Sequence, residues 1–303
     1  MILLMIVAAI LLGGACFAYF KAFFHPRKGR WELHPILKPG YDPYRPEMRR
    51  IYRILKERPY EAVSIKARDG LKLTGRYYHV KDGAPLDIGF HGYKSHSTVD
   101  FSGGSELSFE LEHNLLLIDQ RAHGDSEGHT ISFGIKERHD LLEWVRYCVE
   151  RFGPDTEIML YGVSMGGATV LLAANLDLPK NVRGIVADCP YASPLEIVLH
   201  VGEEMPIPRW LIKPFVILGA RLFGGFDITQ VTATQTVKET KVPILIIHGQ
   251  EDTLVPWAMS RAVQEANPAM VRYFLVPGAE HAISYLVDRE GYRRAVLDFM
   301  ASL

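Results

Sequence analysis

Apolar positions fall into three regimes along the chain. Residues 1–20 (MILLMIVAAILLGGACFAYF) form an unbroken apolar run without a charge. That is about the length a helix needs to cross a bilayer, roughly 20 residues. From residue 61 the pattern shortens. Residues 62–67 and 71–79 alternate apolar with polar around Arg68-Asp69-Gly70, which predicts a hairpin. Compact apolar runs follow at 86–90, 115–118, 158–161, 184–187, 244–248 and 273–276, the signature of parallel strands buried on both faces. Helical spacing lies between them, at 135–152, 165–175, 256–266 and 291–303. In the first of these, Leu141, Leu142, Val145 and Val149 share a face. Strand–helix alternation predicts an α/β fold with a mostly parallel sheet covered by helices. The third regime interrupts it. About fifty residues separate the strand ending near Asp188 from the strand at 244–248, and they carry two proline-punctuated apolar helices. An excursion of that length predicts a lid at about 190–240.

The flanks of the first run bear on location. Lys21, Arg27, Lys28 and Arg30 all follow it and no basic residue precedes it. A cleaved signal would place its basic residues first. A lipoprotein signal would want Leu where Gly13 stands before Cys16. The run is therefore expected to be an uncleaved, single-pass anchor in the cell membrane, spanning residues 1–24. The positive-inside rule places the rest of the chain in the cytoplasm. Residues 25–60 hold Pro26, Pro35, Pro39, Pro43, Pro46 and Pro59. They are expected to be a tether, ending in a short helix at 46–57, whose basic residues suit anionic head groups or plain solvent. Residues 61–303 are then the folded domain, expected to stand without residues 1–24.

Composition narrows the partners. Lys+Arg is 34 and Asp+Glu 35, a net charge of −1 that gives no support for nucleic-acid binding. The three cysteines, Cys16, Cys148 and Cys189, are scattered and form no disulfide framework. Six of the 12 histidines (His91, His96, His113, His123, His129, His139) cluster in sequence but without metal-ligand spacing, so no metal is expected.

The chemistry centres on Gly162-Val163-Ser164-Met165-Gly166-Gly167, a G-x-S-x-G between a strand and a helix. A nucleophile on so tight a turn needs neighbours without side chains. A serine nucleophile needs a base, and the base an orienting acid. In the order serine, acid, histidine, Asp252 follows the strand at 244–248 and His281 follows the last strand. Asp188 is a second candidate for the acid; Glu251 and Glu280 are expected to be solvated charge. The backbone N–H of Met165 is one oxyanion donor, and that of Tyr93, in His91-Gly92-Tyr93 after the strand at 86–90, is the other. The Tyr93 side chain is expected at the site or its mouth.

The HGY turn, Asp119-Gln120-Arg121-Ala122-His123-Gly124-Asp125-Ser126, the GVSMGG turn, His248-Gly249-Gln250-Glu251-Asp252 and Gly278-Ala279-Glu280-His281 together resemble the α/β-hydrolase superfamily over about residues 61–303. The likeness is to its membrane-tethered or cytoplasmic bacterial members of the serine esterase and serine-aminopeptidase-like group. It implies the α/β-hydrolase fold, a mostly parallel twisted sheet flanked by helices with a helical lid. It also implies Ser164 as nucleophile, His281 as base then acid, Asp252 as orienting acid, no cofactor, and a purely structural role for Arg121, His123 and Asp125. The expected activity is hydrolysis of small-molecule carboxylic esters through an acyl-enzyme, with short- to medium-chain or lipid-derived acyl groups. Trp210, Phe215 and Phe223 of the apolar lid are expected to line the acyl pocket. An aminopeptidase is the alternative, with Glu203 or Glu204 holding the substrate amine. A membrane scaffold without activity is a third class, for which a complete Ser/His/Asp set has no use.

Overall fold

A computed structural model of the chain describes residues 1–26, 39–204 and 206–303. Its eight strands are β1 (Glu61–Lys66), β2 (Lys72–Tyr78), β3 (Leu86–Phe90), β4 (Asn114–Asp119), β5 (Ile158–Val163), β6 (Val182–Asp188), β7 (Ile244–Gly249) and β8 (Val271–Val276). They form one sheet in the order β1-β2-β4-β3-β5-β6-β7-β8. Strands β3 to β8 run parallel, and β2 is antiparallel to both its neighbours. The hairpin turns at Arg68-Asp69-Gly70, where Gly70 takes φ +91°. The six apolar runs become the six parallel strands; the five inner ones are buried on both faces, and the edge strand β8 only in part.

Helices α1 (Ile2–Ala18) and α2 (Arg45–Glu57) precede the sheet. Then follow α3 (Ser97–Asp100), α4 (Ser102–Glu110), α5 (Glu137–Phe152), α6 (Met165–Leu172), α7 (Pro194–Gly202) and α8 (Arg209–Leu222). Helices α9 (Ala233–Thr236), α10 (Trp257–Ala266), α11 (Ser284–Val287) and α12 (Arg289–Met300) complete the chain. The segment expected to be a lid holds α7 and α8, with Pro214 inside α8. Helices α3 and α4, between β3 and β4, are absent from the pattern-based expectation. Residues 102–110 (SGGSELSFE) carry two glycines and three serines, too little apolar spacing to mark a helix.

The chain passes from β3 to β4 on one side and to β5 on the other. The reversal opens a crevice at the carboxyl ends of β3 and β5, the place where open α/β sheets hold ligands. Phe90 pairs with Gly162 across that junction.

Ile2–Phe23 is a helix long and apolar enough to cross a membrane, and it could serve as an anchor or a signal sequence. The boundary expected at residue 24 is crossed by packing. Helix α1 continues as a π-helical turn, Tyr19–Phe23. Phe23 is 0% exposed, with its ring edge-on to Phe133 at 5.9 Å and to Phe226 at 5.3 Å. Its carbonyl accepts from Ile131 N at 2.8 Å, and His25 N donates to His129 O at 2.9 Å. Residues 15–25 thus belong to the hydrolase core, because the lid and the loop after β4 leave an apolar gap that they fill. Phe23→Ala should cost about 3–5 kcal/mol of stability. Chemical denaturation of the full-length protein in detergent checks this. Residues 27–38 of the expected tether lie outside the described residues; the rest of it holds a 3-10 turn, Pro39–Tyr44, and α2.

Candidate active site

Ser164 joins β5 to α6 with φ 56° and ψ −115°. This left-handed, strained backbone lifts the side chain out of the sheet. The glycines around it answer a steric demand. A Cβ on Gly162 would strike the carbonyl of Gly166, and one on Gly166 would strike the carbonyl of Phe90. The turn is tied down where Ser164 N donates to Asp188 O at 2.8 Å.

Asp252 and His281, from the loops after β7 and β8, meet Ser164 there. His281 Nε2 lies 2.9 Å from Ser164 Oγ, and His281 Nδ1 lies 2.7 Å from Asp252 Oδ2. Burial works against a charged Asp252. Hydrogen bonds from His248 and His281, the charge of His281 and a backbone bond from Val255 outweigh it and hold the carboxyl well below the usual range. An ionised carboxylate can only accept, so Nδ1 carries the His281 proton and Nε2 is left as the acceptor facing the serine. Leu254 N and Val255 N donate to the other oxygen, Oδ1, at 2.9 and 2.8 Å.

Three contributors are missing from the sequence reading. His248 Nε2 sits 2.9 Å from Val255 O and 3.2 Å from Asp252 Oδ2. A carbonyl accepts, so this nitrogen carries a proton and shares it with the acid. Tyr41, in the segment expected to be tether, is buried and donates its hydroxyl to His281 O at 2.9 Å. Asp100 accepts from Gly92 N at 2.6 Å and from Ser95 Oγ at 2.5 Å. Only the strand-end position of His248 was visible in sequence; Tyr41 and Asp100 reach the site through space.

Asp188, the other candidate acid, is not the partner of His281. It lies buried at the end of β6 with Oδ1 lacking a hydrogen-bond partner among the described residues. Burial drives its carboxyl up to about 6 from an ordinary 3.8. The folded chain therefore releases this proton near 6 and the unfolded chain near 3.8. Stability from this group is full below the lower value and is lost as pH rises through the upper one. At about 1.4 kcal/mol per tenfold change in proton affinity, the loss is about 3 kcal/mol. Asp188→Asn should recover up to that amount at pH 7 and nothing below about pH 4. Thermal melts of both proteins at the two pH values check the sign.

The loop after β3 is held at both sides of Tyr93. Gly92 N is bound by Asp100, and Lys94 N donates to His123 Nε2 at 3.0 Å. The Tyr93 N–H between them has no partner among the described residues. The Met165 N–H is the first of α6 and has no intrahelical acceptor. A Cβ on Gly92 would come within 3.3 Å of Ser164 Cβ, so the loop presses against Ser164. His91 supports the loop as a neutral ring, burial having lowered its pKa to about 3. Its Nε2 accepts from Gln120 N at 3.0 Å. Arg121 is buried in an ion pair with Asp140 at 2.6 Å, and Asp125 is an exposed neighbour of Arg76. Arg121, His123 and Asp125 thus serve the frame. The Tyr93 side chain stacks on Phe133 at 5.0 Å and donates its hydroxyl to Ala22 O at 2.9 Å. It joins the N-terminal helix to this loop.

The lid residues expected to line an acyl pocket part company. Trp210 is 75% exposed, and Phe223 packs on Tyr19, ring centroids 5.8 Å apart. Phe215 lines an apolar groove whose opposite wall is α1, and a Cβ on Gly14 would collide with its ring. Phe215 alone of the three lines that groove; Phe223 lies against the N-terminal helix and Trp210 is exposed to solvent. Glu203 is paired with Arg209 at 3.3 Å on the exposed lid surface. Among the described residues, Cys189, Asp252 and His281 bring three potential metal ligands within 4.8 Å of one another. Asp252 and His281 are bonded to each other, and burial keeps the Cys189 thiol protonated.

Comparison with known proteins agrees with this frame. Residues 89–210 match a family model described as the alpha/beta hydrolase fold. The esterase Pf2001 of Pyrococcus furiosus superposes with a TM-score of 0.67, covering 92% of this chain and 96% of its own, at 24% identity. The chain has the α/β-hydrolase fold. This hydrolase-fold chain is also 28% identical over 198 residues to the uncharacterized protein YqkD of Bacillus subtilis, covering 65% of each. It is 33% identical over 203 residues to the thiohydrolase aneE of Aspergillus aculeatus, covering 64% of this chain and 62% of that one. Both matches span a little under two thirds of the relative's own length.

Proposed function

We propose that the protein is a serine hydrolase that cleaves carboxylic esters through an acyl-enzyme. The observation that carries this is the continuous chain Ser164 Oγ–His281–Asp252, with contacts of 2.9 and 2.7 Å. Ser164 Oγ attacks the acyl carbon while its proton passes to His281 Nε2. The carbonyl oxygen gathers negative charge against the N–H groups of Tyr93 and Met165. Asp252 stabilises the imidazolium. Collapse breaks the ester bond, and the Nε2 proton leaves with the alcohol. Water then repeats the sequence against the acyl group and restores Ser164. No step calls for a cofactor.

The resemblance to a thiohydrolase favours thioesters as a second substrate class, with a thiol in place of the alcohol. Of the two acids considered for an aminopeptidase, Glu203 is paired with Arg209 and only Glu204 is left, in the groove lining. A scaffold would have no use for the linked Ser164, His281 and Asp252. A chain-length series of p-nitrophenyl esters, run beside acyl thioesters and an aminopeptidase panel, tests the assignment. Ester or thioester turnover should dominate; cleavage confined to the amides would overturn it.

The apolar helix supports an uncleaved membrane anchor, since cleavage after it would remove Phe23 from the core. Residues 1–13 project past the lid contacts as roughly 20 Å of helix, against a hydrocarbon core of about 30 Å. Exposed Trp210, Leu211 and Leu222 on α8 then lie at the bilayer surface. The basic residues that follow the helix favour the cytoplasmic side.

A further inference from the structure

An apolar groove of about 580 Å³ runs between the N-terminal helix and the lid. That volume falls within the range of small-ligand sites. Ala18 and Ala22 form one wall, and Val198, Ile212, Phe215 and Val216 form the other. The groove is continuous with the outward half of α1, whose residues 1–12 are exposed, and its rim at Val201, Ile207 and Leu211 is partly exposed and apolar. Its Ala22 end is tied to the loop that carries Tyr93, because Ala22 O accepts the Tyr93 hydroxyl.

Charge is distributed unevenly. The lining holds two charged side chains, Lys21 and Glu204. Lys21 adjoins Ala22 in the chain, as Lys94 adjoins Tyr93. Neither lysine makes an ion pair among the described residues; each lies over its neighbouring aromatic ring, Phe17 or Tyr93. Burial and the charge of Lys21 both push the Lys94 ammonium down from its ordinary value. Lys21 and Lys94 thus each neighbour one side of the Ala22–Tyr93 contact in sequence, and neither is neutralised by an ion pair among the described residues. An apolar channel with a cationic end is complementary to a chain carrying a negative head.

We infer that this groove takes the acyl chain of an anionic single-chain amphiphile drawn from the bilayer, with its head group held between Lys21 and Lys94. The inference rests on the acyl-hydrolase reading of Ser164 and deepens it by naming the substrate class. Gly14 closed against Phe215 narrows the groove, which favours one chain over two.

The test separates binding from turnover by using full-length Ser164→Ala protein in phosphatidylcholine nanodiscs. The probe is a lysophosphatidic acid with a diazirine in its acyl chain. Cross-links should fall on residues 14–22 and 198–216 and be competed by unlabelled lysophosphatidic acid. A monoacylglycerol of the same chain length should compete about tenfold less well, the effect of one to two cations near an anionic head. Lys21→Gln combined with Lys94→Gln should shrink that preference to under about threefold, and Lys21→Arg should keep most of it. Cross-links confined to residues 1–12, or not competed, would overturn the groove as a binding site. A preference that is absent, or unchanged in the double variant, would overturn the anionic head group. Failure of the hydrolase reading shows separately, as a parent protein that a fluorophosphonate does not label.

Discussion

Ser164→Ala is expected to lower turnover by roughly four to six orders of magnitude and to abolish fluorophosphonate labelling. The strained turn, the Gly162 and Gly166 contacts and the position of the Met165 N–H are all backbone features, which the substitution leaves in place. Only the Ser164 hydroxyl goes. His281→Ala should fall to a comparable level, because the residues act as a unit and the double variant should lose little more. Turnover on a p-nitrophenyl ester and gel-based labelling measure the two effects independently. Retained esterase activity in Ser164→Ala would remove the mechanism.

Asp252→Asn should lower turnover by about ten-thousandfold with the fold intact. The carboxylate accepts from His281, His248, Leu254 and Val255 at once. An amide can present its oxygen to only some of these donors. With its –NH2 toward His281, it would reverse the tautomer and leave a proton on the nitrogen that faces Ser164. Comparison with Asp188→Asn distinguishes the two acids, because Asp188 makes no bond to His281. Asp188→Asn should keep turnover near that of the parent. A larger loss of turnover in Asp188→Asn, with unchanged melting behaviour at low pH, would reverse the assignment.

Much of the frame was legible along the chain. Parallel strands buried on both faces must be largely apolar, so the five inner ones announce themselves as short runs, and the half-buried edge strand β8 keeps enough apolar residues to do the same. The turn at Ser164 demands glycine at fixed spacing, and Asp252 and His281 each close a loop leaving a strand end. These are local constraints, written in neighbouring residues. Helix α4 was not legible, since a segment rich in glycine and serine becomes helical only by packing between α2 and the sheet.

The sequence by itself determined the strand–helix alternation, the hairpin, the nucleophile turn and the order of the three residues expected to act on it, because periodicity and turn chemistry are properties of adjacent positions. Tertiary structure decided what touches what. It set Asp252 rather than Asp188 against His281, brought Tyr41 and His248 to the same pair, and clamped the Tyr93 loop with Asp100 and His123. It also turned an apolar N-terminal run, read as a detachable anchor, into part of the hydrolase core. Hydrophobic burial is non-directional. An apolar helix shows in sequence that it must leave water, while the lid and the lipid compete for each of its faces, and only the folded shape of α8 and Phe133 assigns residues 15–23 to the protein.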